Sequence, residues 1–323
     1  MKIKKSENVT KEHSIEVIRF VAATAVVCAH IPNINIGYFG VDLFFIISGF
    51  VMMLSTDISK KKFFLKRLFR ILPTYYFFTI GVFLIALLHP NLLNYTTADF
   101  SHLIKSFLFI PFDKNGAGHF PVLFLGWTLN YEMYFYLIFA ISLMLSFKNR
   151  SLVATGILTL IFILCKNHKE LPFVVYGDLI AFEFVIGMII YEAIIKKNNL
   201  NVIFLTFAIL IVVLINENGF SHRLIKYGLP SALFCSIVII VFKEKKIHKM
   251  LLTLGGASYS LYLIHPYIIQ FFLKNTNTFP SGYIESAVIS VVSILAANIA
   301  AIIIYKYLEI PMQNYLRRKF IYN

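Results

Sequence analysis

IEVIRFVAATAVVCAHIP, residues 15–32, decides how the rest of the chain is read. It is an apolar run with an arginine near its start and a histidine near its end. Arg19 and His30 are separated by ten residues, mostly Ala, Val and Phe. As a helix rising about 1.5 Å per residue, the run sets them roughly 16 Å apart along the axis, one toward each end of a membrane span. An ionisable side chain inside a membrane helix costs a few kcal/mol unless it is paired or faces water, so each is a functional-site candidate. The structural alternatives are an Arg19 that snorkels to the headgroups and a His30 that caps the span at the interface, just before Pro32.

Composition agrees with a membrane setting. Of 323 residues 59% are hydrophobic, 33 are Phe and 18 are Tyr, while only 14% are charged, a balance outside the range of soluble domains. The chain therefore reads as an all-α, polytopic integral membrane protein. Its net charge of +14 sits in short loops between apolar runs, which suits anionic lipid and positive-inside topology rather than nucleic acid. Cys28, Cys165 and Cys235 lie in apolar segments without paired spacing, so neither a disulfide framework nor a metal site is expected. The lysine-rich start (Lys2, Lys4, Lys5, Lys11) imitates a signal peptide, but Arg19 interrupts the apolar region and no cleavage pattern follows. The first span is expected to be retained.

Windows of about 20 apolar residues give ten candidate spans, near 15–31, 38–55, 72–88, 122–146, 151–165, 172–195, 200–216, 229–242, 252–273 and 284–307. With the N-terminus inside, 22 of the 30 Lys and Arg fall on cytoplasmic segments and 7 outside (Lys105, Lys114, Lys166, Lys169, Arg223, Lys226 and Lys274), with Arg19 in the first span. That asymmetry places both termini in the cytoplasm. Residues 1–323 read as one membrane domain with no appended extracytoplasmic domain. The connection 89–121 carries its own apolar stretch, LIKSFLFIPF with Pro111, and reads as a re-entrant or interfacial lid on the outer face. The basic stretch KKKFFLKRLFRILP, residues 60–73, suits an amphipathic helix in the interface.

This topology puts four ionisable groups from four helices in the outer half of the membrane: His30, Asp42, Glu132 and His265. Each is costly against lipid and cheaper in one shared wet cavity. A histidine beside a carboxylate is a general base able to deprotonate an alcohol for attack on an acyl group. Arg19, Arg67 and Arg70 gather at the inner face, where guanidinium groups favour phosphate. The plainer alternatives are that Asp42 caps its helix, that Glu132 makes a structural hydrogen bond, and that His265, before Pro266, donates to a backbone carbonyl. Asp178 and Glu183 read as helix–helix contacts, and Gly37 and Gly40 as close packing. No phosphate-binding glycine loop, dinucleotide fingerprint, H-E-x-x-H or paired C-x-x-C occurs.

Six stretches, in order, resemble the acyltransferase family 3 membrane proteins: Arg19 with His30; GVDLFFIISGF (40–50); Arg67 and Arg70 followed by ILP; WTLNYEMYFY (127–136); SYSLYLIHP (258–266); and EIP (309–311). The family's first span often opens Leu-Asp, where this chain has Ile15-Glu16, a change that preserves charge. The resemblance implies an O-acyltransferase, acetyl being the commonest group, that moves an acyl group from cytoplasmic acyl-CoA to a hydroxyl of a cell-surface or lipid-linked glycan such as an exopolysaccharide or lipopolysaccharide. It implies His30 as the catalytic histidine, Asp42 and Glu132 as acidic motif positions, and Arg19, Arg67 and Arg70 on the donor side. Trp127, Tyr259 and His265 are further candidates within the matched stretches. Membrane lipids, the glycan acceptor and glycan-assembly proteins are the expected partners, in a bacterial inner membrane. Direct attack and relay through an acyl-histidine are both open. The rival reading is a transporter or flippase for a lipid-linked sugar, for which no inverted repeat is visible.

Overall fold

The structure is a computed structural model and describes residues 2–32, 36–93, 96–113, 118–216, 223–242, 245–275 and 283–322. Lys114 and Lys243 lie outside them, as do the side chains of Lys2, Lys4, Lys5, Lys11 and Lys274. Among the described residues the chain is helical throughout, with no strand. The helices are α1 (Lys2–Ala29), α2 (Phe39–Ile58), α3 (Phe63–Leu88), α4 (Phe100–Phe107), α5 (Trp127–Leu145), α6 (Arg150–Cys165) and α7 (Phe173–Tyr176), then α8 (Ala181–Tyr191), α9 (Asn199–Leu214), α10 (Leu229–Val241), α11 (Lys249–Gly256), α12 (Ser258–Asn275), α13 (Tyr283–Ile304) and α14 (Ile310–Arg317). In hydrocarbon a helix is the one open-ended element that satisfies its own backbone.

Six stretches are long and apolar enough to cross a membrane: Phe39–Ile58, Phe63–Leu88, Phe124–Leu145, Phe173–Lys196, Leu224–Val241 and Ser290–Ile321. The ten spans expected from hydropathy require α1, α6, α9 and α12 to cross as well. α6 and α9 have only 16 residues each, short of the roughly 20 that a bilayer asks for. The apolar faces of the long helices are uncovered, as Leu84, Leu88, Leu233 and Ile237 illustrate at 47%, 68%, 63% and 51% exposure. Such a surface has lipid as its natural solvent.

Three expected segments differ in detail. α3 runs unbroken through the buried Pro73, so the basic stretch forms the first turns of a 26-residue helix instead of a separate interfacial one. The segment 172–195 is interrupted between α7 and α8, where Asp178 Oδ1 accepts from the Ile180 amide at 2.9 Å. The segment 252–273 is divided at Ala257. There the backbone of Gly255 meets that of Glu16 so closely that a methyl group would strike the Glu16 carbonyl.

The chain forms two compact units, residues 1–47 with 226–312, and residues 48–225 with 313–323. In the first, α1 packs on α10, α11 and α12, and α12 packs on α13. Its core is fine-grained: Ala23, Val27, Ala257, Leu261, Ala297 and Ala301 are at most 2% exposed. Small residues of this kind let membrane helices approach closely, where dispersion replaces the missing hydrophobic drive. The second unit is aromatic. Phe135 stacks on Phe184 at 4.5 Å and Phe162 meets Phe182 edge-on at 5.7 Å. Arg150, 3% exposed, ties its helices by donating to Thr56 Oγ1 at 3.1 Å and to Asp57, which also accepts from Tyr191 and Lys196.

Candidate active site

In the first unit, α2 begins against α1 through two glycines. Gly37 has φ +113°, a left-handed conformation that side chains rarely adopt, and a methyl group on it would strike the Ala25 carbonyl. A methyl on Gly40 would strike the Ala22 carbonyl and the Val26 side chain. This contact sets the first turn of α2, which carries the fully buried Asp42, against α1 near Ala22, Ala25 and Val26.

His30 follows directly on α1. Its Nδ1 lies 2.8 Å from the Val26 carbonyl oxygen. A carbonyl only accepts, so in the neutral ring Nδ1 carries the hydrogen and Nε2 is the basic nitrogen. The residue is exposed. His265 on α12 meets it edge to face, with centroids 4.9 Å apart and planes at 68°. His265 is fully buried, its Nδ1 is 3.2 Å from the Leu261 carbonyl oxygen, and its Nε2 has no hydrogen-bond partner among the described residues. One imidazole is thus reachable and the other is held behind it.

Arg19 pairs with Glu16 at 2.7 Å, one turn back on the same helix. Glu16 is therefore a counter-ion of this arginine within α1. On α12, Tyr259 is half-buried between the buried Ser258 and Ser260. Ser260 donates to Glu309 Oε2 at 2.6 Å, joining the SYS and EIP stretches.

In the second unit Glu132 accepts from Ser48 Oγ at 3.1 Å and from the Tyr136 hydroxyl. Tyr136 is fully buried, and the Arg67 guanidinium lies 5.8 Å from its ring and 5.5 Å from that of Phe63. Arg67 donates to Ser55 Oγ at 2.6 Å and to the Val51 carbonyl at 3.3 Å. Lys66 donates to Ser59 Oγ at 3.4 Å. The Arg70 carbonyl accepts from Gln313 at 3.3 Å. Trp127 sits edge-on to Tyr131 at 6.1 Å, and Tyr131 donates to Asp178 Oδ2 at 3.2 Å.

Of the four groups expected in one cavity, His30 and His265 meet, Asp42 belongs to the same unit, and Glu132 belongs to the other. Of the three arginines, Arg67 and Arg70 share α3 and Arg19 stands in the first unit. Ser55 goes unread in the sequence, Ser48 reads there with Gly49 only as close helix packing, and Tyr136 falls inside a matched stretch without being assigned a role. Tyr136 is within reach of the sequence, being four residues after Glu132 and so on the same helix face. The 89–121 connection holds α4, capped by Asp99 and pinned to α3 by Tyr75 and Tyr76, which donate to the Ser106 and Phe107 carbonyls at 3.2 and 3.0 Å.

An all-helical membrane protein that presents a reachable imidazole backed by a buried one, with a carboxylate–tyrosine–arginine network besides, is equipped for proton transfer and anion binding within the bilayer. Comparison with known proteins gives that equipment a reaction. A family model described as an acyltransferase domain matches residues 12–306, and the chain belongs to that family, the acyltransferase family 3 membrane proteins. It is 32% identical over 296 residues to the exopolysaccharide production protein ExoZ of Rhizobium meliloti (strain 1021), covering 87% of this chain and 90% of that one. It is 28% identical over 250 residues to an acetyltransferase candidate of Acidianus two-tailed virus, ORF330, covering 71% of this chain and 72% of that one. No solved structure matches. The chain is a multi-pass membrane acyltransferase.

Proposed function

We propose that this acyltransferase moves an acyl group, acetyl first among candidates, from cytoplasmic acyl-CoA to a hydroxyl of a surface or lipid-linked polysaccharide. The setting is a bacterial inner membrane crossed ten times, with both termini inside. The observation that carries the reading is His30: exposed, tied through Nδ1 to Val26, and therefore basic at Nε2. The resemblance of the whole chain to ExoZ, named for exopolysaccharide production, supports a polysaccharide acceptor.

The residues present suit the donor. Arg67 and Arg70, with Lys66, put three positive charges on the first turns of α3 in the second unit, groups suited to the phosphates of a CoA thioester. In the reaction His30 Nε2 takes the proton of the acceptor hydroxyl, whose oxygen bonds to the acyl carbon. The carbon–sulfur bond breaks, and His30 returns the proton to the departing thiolate. His265 backs the ring of His30. A positioned general base contributes roughly 10²–10⁴-fold.

The test is transfer of label from radiolabelled acetyl-CoA to bacterial polysaccharides by purified protein. His30→Ala is expected to lose transfer by a factor in that range while still binding CoA. Full activity of His30→Ala overturns the assignment, and failure of the wild type to bind CoA favours the transporter reading instead.

A further inference from the structure

The first unit contains a groove unrelated to the histidine pair. It has a volume of about 480 Å³ and runs between α1, α2 and the start of α10. Val21 comes from α1, Phe39 and Leu43 from α2, and Pro230 and Phe234 from α10. Its walls are apolar except at Lys226, at Ser231 and at Tyr227, whose ring centroid lies 5.1 Å from the Lys226 ammonium. Lys226, exposed in the turn that leads into α10, stands at one end of the membrane-length stretch Leu224–Val241. Ser231, 3% exposed, lines the interior, and its hydroxyl has no hydrogen-bond partner among the described residues.

That vacancy needs an explanation. A serine inside a membrane helix ordinarily donates to the carbonyl four residues back, as Ser236 does here to Ala232 at 2.8 Å. A buried hydroxyl that forgoes this bond is disfavoured unless a ligand supplies the partner. Depth supplies the second clue. Ser231 lies five positions beyond Lys226, roughly 7 Å deeper along the helix. A cation at headgroup level, a hydroxyl donor just beneath it, then a hydrocarbon-lined trough is the order of groups in a glycerophospholipid: phosphate, ester carbonyl, acyl chain. Pro230 and Phe234 are exposed, so the groove opens on the same side as the lipid-facing stripe of Leu229, Leu233 and Ile237.

We infer that this groove is a binding site for one anionic membrane phospholipid, with its phosphate on Lys226, an ester carbonyl accepting from Ser231 Oγ, and one acyl chain against Leu43 and Phe234. The site is independent of the acyl-transfer reading. Neither Lys226 nor Ser231 takes part in the chemistry proposed above.

The full-length protein in detergent is analysed by native mass spectrometry and lipid extraction. Wild type is expected to retain phosphatidylglycerol in preference to phosphatidylethanolamine. Lys226→Ala is expected to retain it roughly fivefold less, the effect of one lysine at a membrane surface, and Ser231→Leu, which fills the trough, to retain neither lipid. Equal retention by wild type and Lys226→Ala overturns the inference. So does retention of a polyprenyl phosphate in place of phospholipid, which would make the groove a carrier-lipid site. Should Ser231→Leu not fold, the wild type decides the matter in nanodiscs of phosphatidylcholine with and without phosphatidylglycerol. A higher unfolding temperature with phosphatidylglycerol, abolished by Lys226→Ala, supports the site, and no difference refutes it.

Discussion

Replacing His265 separates packing from chemistry in the histidine pair. His265→Phe keeps a ring in a site of zero exposure and preserves the edge-to-face contact, centred 4.9 Å from His30. It removes the Nδ1 bond to Leu261, worth about 0.5–1.5 kcal/mol, and also the buried Nε2 that has no partner among the described residues, a penalty of about 1–3 kcal/mol. The two changes oppose each other, so the variant is expected to lie between about 0.5 kcal/mol less stable and about 2.5 kcal/mol more stable than wild type. His265→Ala instead leaves a cavity, at about 2–4 kcal/mol, and forfeits the ring contact, about 0.5–1.5 kcal/mol. If all of that contact serves to hold His30 in its reactive pose, transfer falls by roughly 2–13-fold. Thermal unfolding in detergent reads the first quantity and the initial rate of label transfer reads the second. A stable His265→Phe protein that loses more than about 100-fold in rate, the range of a general acid or base, would show that the ring nitrogens of His265 enter the reaction and would refute a packing role.

Two further perturbations test the frame around the sites. Gly40→Ala drives a methyl group into the Ala22 carbonyl; overpacking of this kind costs about 1–3 kcal/mol, and because it pushes the start of α2, which carries Asp42, off α1, activity should fall together with unfolding temperature, whereas Gly81→Ala, inside α3 with nothing near its added carbon, should leave activity unchanged and hold or raise stability by up to about 1 kcal/mol. Tyr136→Phe removes a hydroxyl that donates to Glu132 and should destabilise by about 1–3 kcal/mol; in a double-mutant cycle with Glu132→Gln the losses should fall short of additive, and strict additivity would show that the two groups do not interact.

Much of this architecture is legible in the chain before any coordinates. Hydropathy marks 38–55 and 122–146, and α2 and the stretch Phe124–Leu145 fall there within a few residues. A window average senses burial in lipid and is blind to capping, which is why 172–195 reads as one span although Gly177 and Asp178 interrupt it. It is equally blind to close backbone contact, which divides 252–273 where Gly255 meets Glu16. Among site residues, those that break an apolar run announce themselves: Arg19, His30, Asp42, Glu132 and His265 all do. Their partners do not. Ser260 and Glu309 are 49 residues apart and Ser48 and Glu132 are 84 apart, and nothing local tells a hydroxyl which distant carboxylate it will meet. The glycines at 37 and 40 are visible as a pattern, but only the position of α1 shows that both are compelled.

The Arg19–Glu16 pair bears on how α1 enters a membrane at all. An arginine at the centre of a membrane helix raises the free energy of insertion by about 2.5–3.5 kcal/mol, and one nearer an end, as Arg19 is, costs less. Its counter-charge here is three residues away on the same helix, so the neutralising contact needs no other segment and can form as soon as the helix does. α1 thus brings its own counter-charge, and the neutrality of this pair is a local property of one helix that owes nothing to the order in which the rest of the chain is assembled.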